Sequence, residues 1–239
     1  MNNLDAAREG RLVFQNEACM VINKLAGESS EFPEIEASGA MMPTTGVKIP
    51  AAGEKFPVPV HRLDMPVSGC LLLAKTPDAA AFLNAAFAGG SGYNRVEKRY
   101  WAIIEKPASQ TLPESGELVH WLSFNQTKNK SFAHNEDGQG RKRAVLRYKI
   151  AGAGNNYLFM EIDLVTGRHH QIRAQLAAIG LHVKGDLKYG ARRSEKNGGI
   201  RLHAHSLGFP NPLNGGERIE VKALPPVMDN LWTAFAGTN

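Results

Sequence analysis

The run Cys70-Leu71-Leu72-Leu73-Ala74-Lys75 constrains this chain more than any other stretch, because its apolar residues are successive rather than alternate. A strand that alternates can leave one face in water, whereas an uninterrupted apolar strand has to be covered on both. The segment therefore predicts a sheet strand with a layer on each side. Thr76-Pro77-Asp78 follows at once, supplying a capping hydroxyl, a proline at the first helical position and an acid in the first turn. Ala79, Phe82, Leu83, Ala86 and Phe87 then recur at helical spacing, and Gly89-Gly90 ends the helix. Ahead of the strand, His61-Arg62-Leu63-Asp64-Met65-Pro66-Val67-Ser68-Gly69 reads as a tight loop that holds one carboxylate, Asp64, in a fixed place.

Around this unit the pattern is that of an α/β chain of the α+β type. Arg11 to Lys24 reads as two short strands with a turn at Asn16-Glu17, and residues 28–57, rich in proline, glycine and alanine, as an irregular loop or insertion. Arg99 to Glu105 is a strand with Tyr100, Ala102 and Ile104 on one face and Trp101 and Ile103 on the other. Residues 123–143 carry Lys128, Lys130, Arg141, Lys142 and Arg143, which suits either a solvated hairpin or a surface that faces a polyanionic partner. Ala144–Ile150 and Tyr157–Val165 alternate as antiparallel strands, the second turning Leu158, Met160, Ile162 and Leu164 inward. A helix is expected from about His169 to Ile179, with Ile172, Leu176 and Ile179 as its buried stripe, Arg173 at the rim of the core and Gly180 as the stop. Strands near 202–207 and 219–222 complete the sheet.

Composition narrows the class without naming it. The 239 residues, 43% hydrophobic and 21% charged, suit one domain spanning 1–239 with a substantial core. No apolar run approaches the length of a membrane span, and the N-terminus has no signal-like pattern, so a cytoplasmic setting with no membrane partner is expected. Cys19 and Cys70 lack metal-knuckle or redox spacing and read as buried free thiols. The net charge of +5 favours a polyanionic partner only modestly.

Three segments, taken together, point further: the Asp64 loop, Lys98-Arg99-Tyr100-Trp101-Ala102, and Val165-Thr166-Gly167-Arg168-His169-His170-Gln171-Ile172-Arg173. Their order and separation resemble the RluA-type pseudouridine synthases, over a stretch from about Leu12 to about Leu224. Asn23-Lys24-Leu25-Ala26-Gly27, Gly185-Asp186 with Tyr189-Gly190, and Leu202-His203-Ala204 support the resemblance. It implies a pseudouridine synthase fold, a long, mixed, mostly antiparallel sheet flanked by helices with a central active-site cleft, acting on rRNA or tRNA as a monomer without cofactor or metal. Such chemistry needs a carboxylate, an apolar lid and a cation that keeps the carboxylate ionised.

By this resemblance Asp64 matches the essential aspartate, as nucleophile or as stabiliser of a glycal path. Tyr100 matches the tyrosine that stacks on the target base, and Arg173 the basic partner of the aspartate. Arg62 and Arg168 are expected at phosphates or in structural ion pairs, and His61 and Lys98 are counted with them as substrate contacts. The chain departs from the family pattern at Val67 and His169, where threonines are common, at Gln175, where a histidine is frequent, and at Leu25, where a proline is usual. Two rival readings stand beside this one. A metal-dependent hydrolase would draw on the eight histidines, with His203 and His205 sharing a strand face. A non-catalytic RNA-binding module would have no need for Asp64.

Overall fold

The computed structural model describes residues 11–30, 57–89, 92–107, 112–195 and 198–237. The proline-rich stretch from 31 to 56 within the expected 28–57 insertion lies outside these. Twelve strands and three helices make the described residues an α+β assembly. In chain order they are β1 (Leu12–Gln15), β2 (Cys19–Lys24), β3 (Val58–Pro59), β4 (Ser68–Ala74) and α1 (Pro77–Gly89). Next come β5 (Glu97–Glu105), β6 (Ser115–Asn125), β7 (Lys130–His134), β8 (Lys142–Ala153) and β9 (Tyr157–Leu164). The remainder are α2 (Gln171–Ala178), β10 (His182–Val183), β11 (Leu202–Pro210), β12 (Arg218–Lys222) and α3 (Asn230–Ala236).

These elements gather into two compact units, one from the described parts of Met1–Glu97 and Ala204–Pro226, the other from those of Lys98–His203 and Val227–Asn239. In the first, Asn16 closes the β1–β2 turn by accepting the amide protons of Ala18 and Cys19 at 2.9 and 2.8 Å. β2 pairs antiparallel with β4 from Cys19 opposite Ala74 to Lys24 opposite Gly69. All seven residues of β4 are buried, the doubly covered strand that its apolar run predicts. Thr76 caps α1 through its hydroxyl, 3.2 Å from the Ala79 amide, and Ala79, Leu83 and Ala86 enter the core beside Leu72 and Phe209. Cys19 and Cys70 are buried free thiols in the same layer, and burial pushes them up to about 11 and about 12, so neither is a thiolate at neutral pH.

The second unit is an antiparallel sheet in the order β5-β9-β8-β6-β7. Both faces of β5 are buried, as its sequence predicts. α2 packs over the face of Leu122 and Ala144 through Ala174. On the other face α3 lays Trp232 and Phe235 against Trp101, Ile103 and Phe159. Neither α3 nor strand β6 is read from the sequence. Helix α2 begins at Gln171 rather than His169 because His170 takes a left-handed backbone, φ 52°, which cannot continue a right-handed helix. No helix among the described residues is long and apolar enough to cross a membrane.

Candidate active site

In the first unit Asp64 sits half-buried in the loop between β3 and β4, and that loop is tied on several sides. The Val67 amide donates to the Asp64 carbonyl at 2.9 Å, closing a turn over Met65-Pro66. Ser30 clamps the preceding residue, its hydroxyl donating to the Leu63 carbonyl at 2.9 Å and accepting from the Leu63 amide at 3.0 Å. The Nε2 of His61 accepts the Leu72 amide proton of β4 at 3.0 Å, while the ring stacks on Phe87 of α1 at 4.8 Å. His61 thus anchors the loop start to strand and helix. Arg62, next to it, is exposed.

Below the loop lies Lys24, 0% exposed. Its ammonium donates to the carbonyls of Leu25 and Glu28, each at 2.9 Å, and of Met65 at 3.2 Å, so it grips the residue that follows Asp64. The Gly27 amide adds a second bond to the Met65 carbonyl at 2.8 Å. Burial lowers Lys24 to about 8, opposed by the charges of Glu28 and Asp64, which favour the ammonium. Glu28 in turn holds Arg11 in a buried ion pair. Gly69 completes the loop in a conformation, φ 122°, that other residues rarely adopt, and a Cβ there would stand 2.4 Å from the Ala204 carbonyl oxygen. The Ser68-Gly69 pair is therefore a close-approach requirement of the backbone.

In the second unit the segment from Thr166 to Arg173 is a built structure rather than an open loop. The Gln171 side-chain oxygen accepts from the Thr166 hydroxyl at 2.8 Å and from the Arg168 amide at 2.9 Å. Its amide group donates to the Val145 carbonyl at 3.0 Å, fixing the start of α2 to β8. Arg173 is not at the rim of the core: its side chain is 4% exposed and forms a fork with the equally buried Asp186, Nε to Oδ2 at 2.6 Å and Nη2 to Oδ1 at 2.8 Å. The Tyr189 ring lies under the guanidinium at 4.9 Å. The Tyr189 hydroxyl accepts from the Ser131 amide at 2.9 Å, donates to the Ser131 carbonyl at 3.1 Å, and is 3.0 Å from His170 Nδ1.

Tyr100 is on β5 opposite Ile162 and 8% exposed. Lys98, on the same strand, places its ammonium where a Gly167 side chain would begin, 2.9 Å from the ideal Cβ. Lys98 and the Gly167-Arg168 turn are thus brought together. Arg168 is exposed, with its Nε donating to the Arg143 carbonyl at 3.2 Å. The residue types at Lys24, Ser30, Asp186 and Tyr189 were not given roles by the sequence. Lys24, Asp186 and Tyr189 were visible only as parts of short supporting motifs, and Ser30 had no signal at all. Among the described residues no group of three or more His, Cys, Asp or Glu side chains is placed to hold a metal ion. His205 bonds the Ala223 carbonyl at 2.8 Å through Nδ1, and His203 is buried edge-on to Trp232.

Against known proteins, the sequence model of a family described as RNA pseudouridylate synthase matches residues 18–178, a span that contains Asp64, Tyr100 and Arg173. The chain is 31% identical over 218 residues to ribosomal large subunit pseudouridine synthase D of Zymomonas mobilis, covering 85% of this chain and 66% of that protein. It is 36% identical over 151 residues to an uncharacterized RNA pseudouridine synthase of the same organism, covering 62% of this chain and 64% of that protein. It therefore spans no more than about two thirds of the length of these relatives. Among solved structures, human RNA pseudouridylate synthase domain containing 1 matches with a TM-score of 0.65 at 22% identity over 96% of both chains. Human RNA pseudouridylate synthase domain containing 4 matches with a TM-score of 0.68 at 19% identity, over 98% of this chain and 95% of that one. At these identities the structural likeness speaks for the fold.

Proposed function

Since the chain belongs to the RNA pseudouridylate synthase family, we propose that it isomerises uridine to pseudouridine within RNA. In that reaction the bond from uracil nitrogen 1 to ribose carbon 1′ breaks, the base turns, and carbon 5 joins carbon 1′. Carbon 5 loses a proton and nitrogen 1 gains one, so composition and oxidation state are unchanged. Asp64 is the carboxylate that attacks or stabilises the sugar. Tyr100 is the ring assigned to stack on the target base, and Arg173 the cation assigned to the site. Arg62, Arg168, Lys98 and His61 are assigned to the substrate side, with His61 acting through its hold on the loop. Lys24 positions the segment that carries Asp64. A base stacked in RNA hides its glycosidic bond, so the uridine is extruded at a cost of a few kcal/mol.

The observation that carries this reading is the family match running unbroken through all three segments. Ribosomal RNA is the first substrate to test, because two relatives bear the name ribosomal large subunit pseudouridine synthase D. Transfer RNA is the second, and a cytoplasmic setting and a monomeric enzyme go with either. The test is carbodiimide mapping of pseudouridine in cellular RNA with the gene present, deleted, and replaced by the Asp64→Asn variant. A site lost on deletion and not restored by the variant supports the assignment. Maps that do not change in any RNA class would favour an RNA-binding module without catalysis.

A further inference from the structure

The hairpin β6–β7 carries an aromatic ledge that the reaction itself does not use. Phe124, near the tip of β6, is 53% exposed, and its ring meets His169 edge to face at 4.4 Å. His169 stacks on His170 at 3.8 Å and shares a hydrogen bond of 2.9 Å with the Ser131 hydroxyl of β7. Single exposed apolar side chains are ordinary on a protein surface. Here three rings run contiguously from solvent to His170, the left-handed residue just ahead of α2 and three positions from Arg173. Exposed Lys128 at the hairpin turn, Lys130 with its ammonium over the Phe132 and Tyr189 rings, and exposed Arg168, Lys142 and Arg143 surround the segment. Glu136 and Asp137 are the acids of the connection that follows β7, leaving cations in excess along the hairpin.

We propose that Phe124 and His169 form a stacking platform for one unpaired nucleobase of the substrate RNA beside the target uridine, with Lys128 and Arg168 at its phosphates. The inference rests on the RNA reading above and deepens it. Every base offers a flat face to an aromatic ring, and a rigid hairpin presents such a ring at little ordering cost. The cationic surround selects a polyanion over an apolar peptide as the occupant.

The test uses the full chain and an oligouridylate of about 20 nucleotides containing one 5-iodouridine, followed by fluorescence anisotropy and by photo-cross-linking with peptide mapping. Phe124→Ala is expected to weaken binding about tenfold, with an unchanged circular dichroism spectrum, and Phe124→Trp to restore it. Cross-links are expected within 115–142 or at His169. Affinities of Phe124→Ala and His169→Thr within about twofold of wild type, or cross-links confined to other segments, would overturn the platform. A wild-type protein that forms pseudouridine while showing either of those results refutes the platform alone. A wild type that neither binds the oligonucleotide nor modifies any RNA refutes the RNA reading with it.

Discussion

Two buried ions set the terms at the level of single residues. Arg173 and Asp186 are 4% and 1% exposed, and removal of either leaves the other charged and enclosed. Such a truncation typically costs about 3–5 kcal/mol, whereas exchanging both partners for apolar residues of similar volume is often neutral. Arg173→Met alone is therefore expected to lower the urea midpoint as well as turnover, and the pair Arg173→Met with Asp186→Leu to recover the midpoint without recovering turnover. Recovery of both would reduce Arg173 to a structural ion. Lys24 gives a second prediction, through pH. Its folded-state value, lowered by burial to about 8, lies below the ordinary 10.5, so between the two the unfolded chain binds more protons and stability from this group rises with pH. Relative to Lys24→Met, the wild-type protein should gain stability from pH 8 towards 10.5, measured as urea midpoints across that range. Over the same range the ammonium that grips the Met65 carbonyl is lost, so turnover should fall while stability rises. A profile parallel to that of Lys24→Met would mean that Lys24 does not titrate there.

Secondary-structure elements explain why part of this molecule was legible in its sequence and part was not. α1 announces itself through Thr76-Pro77-Asp78, and β4 through its unbroken apolar run, because both signals are local and chemical. α3 has seven residues, Asn230–Ala236, and no repeat long enough to show a period. Its reason for existing is tertiary: Asp229 caps it by accepting the Trp232 amide proton, and Trp232 and Phe235 cover the strand face of Trp101, Ile103 and Phe159. β6 was hidden because its outer end merges into the basic stretch that begins near residue 123. The site follows the same division. Asp64, Tyr100 and Arg173 are proposed through a family resemblance, not through local spacing. The grip of Asp186 on Arg173 and of Lys24 on the Asp64 loop depends on contacts that no local spacing encodes. If α3 is an integral cover, Phe235→Ala should cost about 3–5 kcal/mol by the usual large-to-small penalty, read from denaturant unfolding. A loss below about 1 kcal/mol would make the helix peripheral. At Gly69 the cost is backbone strain plus a collision with Ala204, so Gly69→Ala should destabilise by about 2–4 kcal/mol in the same assay.

For the molecule as a whole, the question is how a net charge of +5 would become the proposed affinity for RNA. Net charge alone is a weak argument, since many basic proteins bind no nucleic acid. What counts is the number of cations that displace condensed counterions from the phosphates, and that number is readable as a slope: log affinity falls by about 0.7 per phosphate contact per unit log salt for single strands. Several cations here are already engaged within the protein, among them Arg147 with Glu117, Arg99 with Asp163, and Arg201 with Asp229. The salt slope should therefore be far smaller than the count of 28 Lys and Arg residues would give. Arg168 and Lys128, exposed on the α2 loop and the hairpin, are assigned to phosphates, and Arg168→Gln or Lys128→Gln should each reduce the slope by about 0.7 on single-stranded RNA. Asp64→Asn should leave the slope intact while abolishing pseudouridine formation, because the role proposed for its carboxylate is at the sugar rather than at the phosphate backbone. Titrations of the same RNA at a series of potassium chloride concentrations separate the two roles. A slope unchanged in both cation variants would move the RNA path away from the α2 loop and hairpin, and a steeper slope in Asp64→Asn would show that the carboxylate repels phosphate at the surface instead of acting on the sugar.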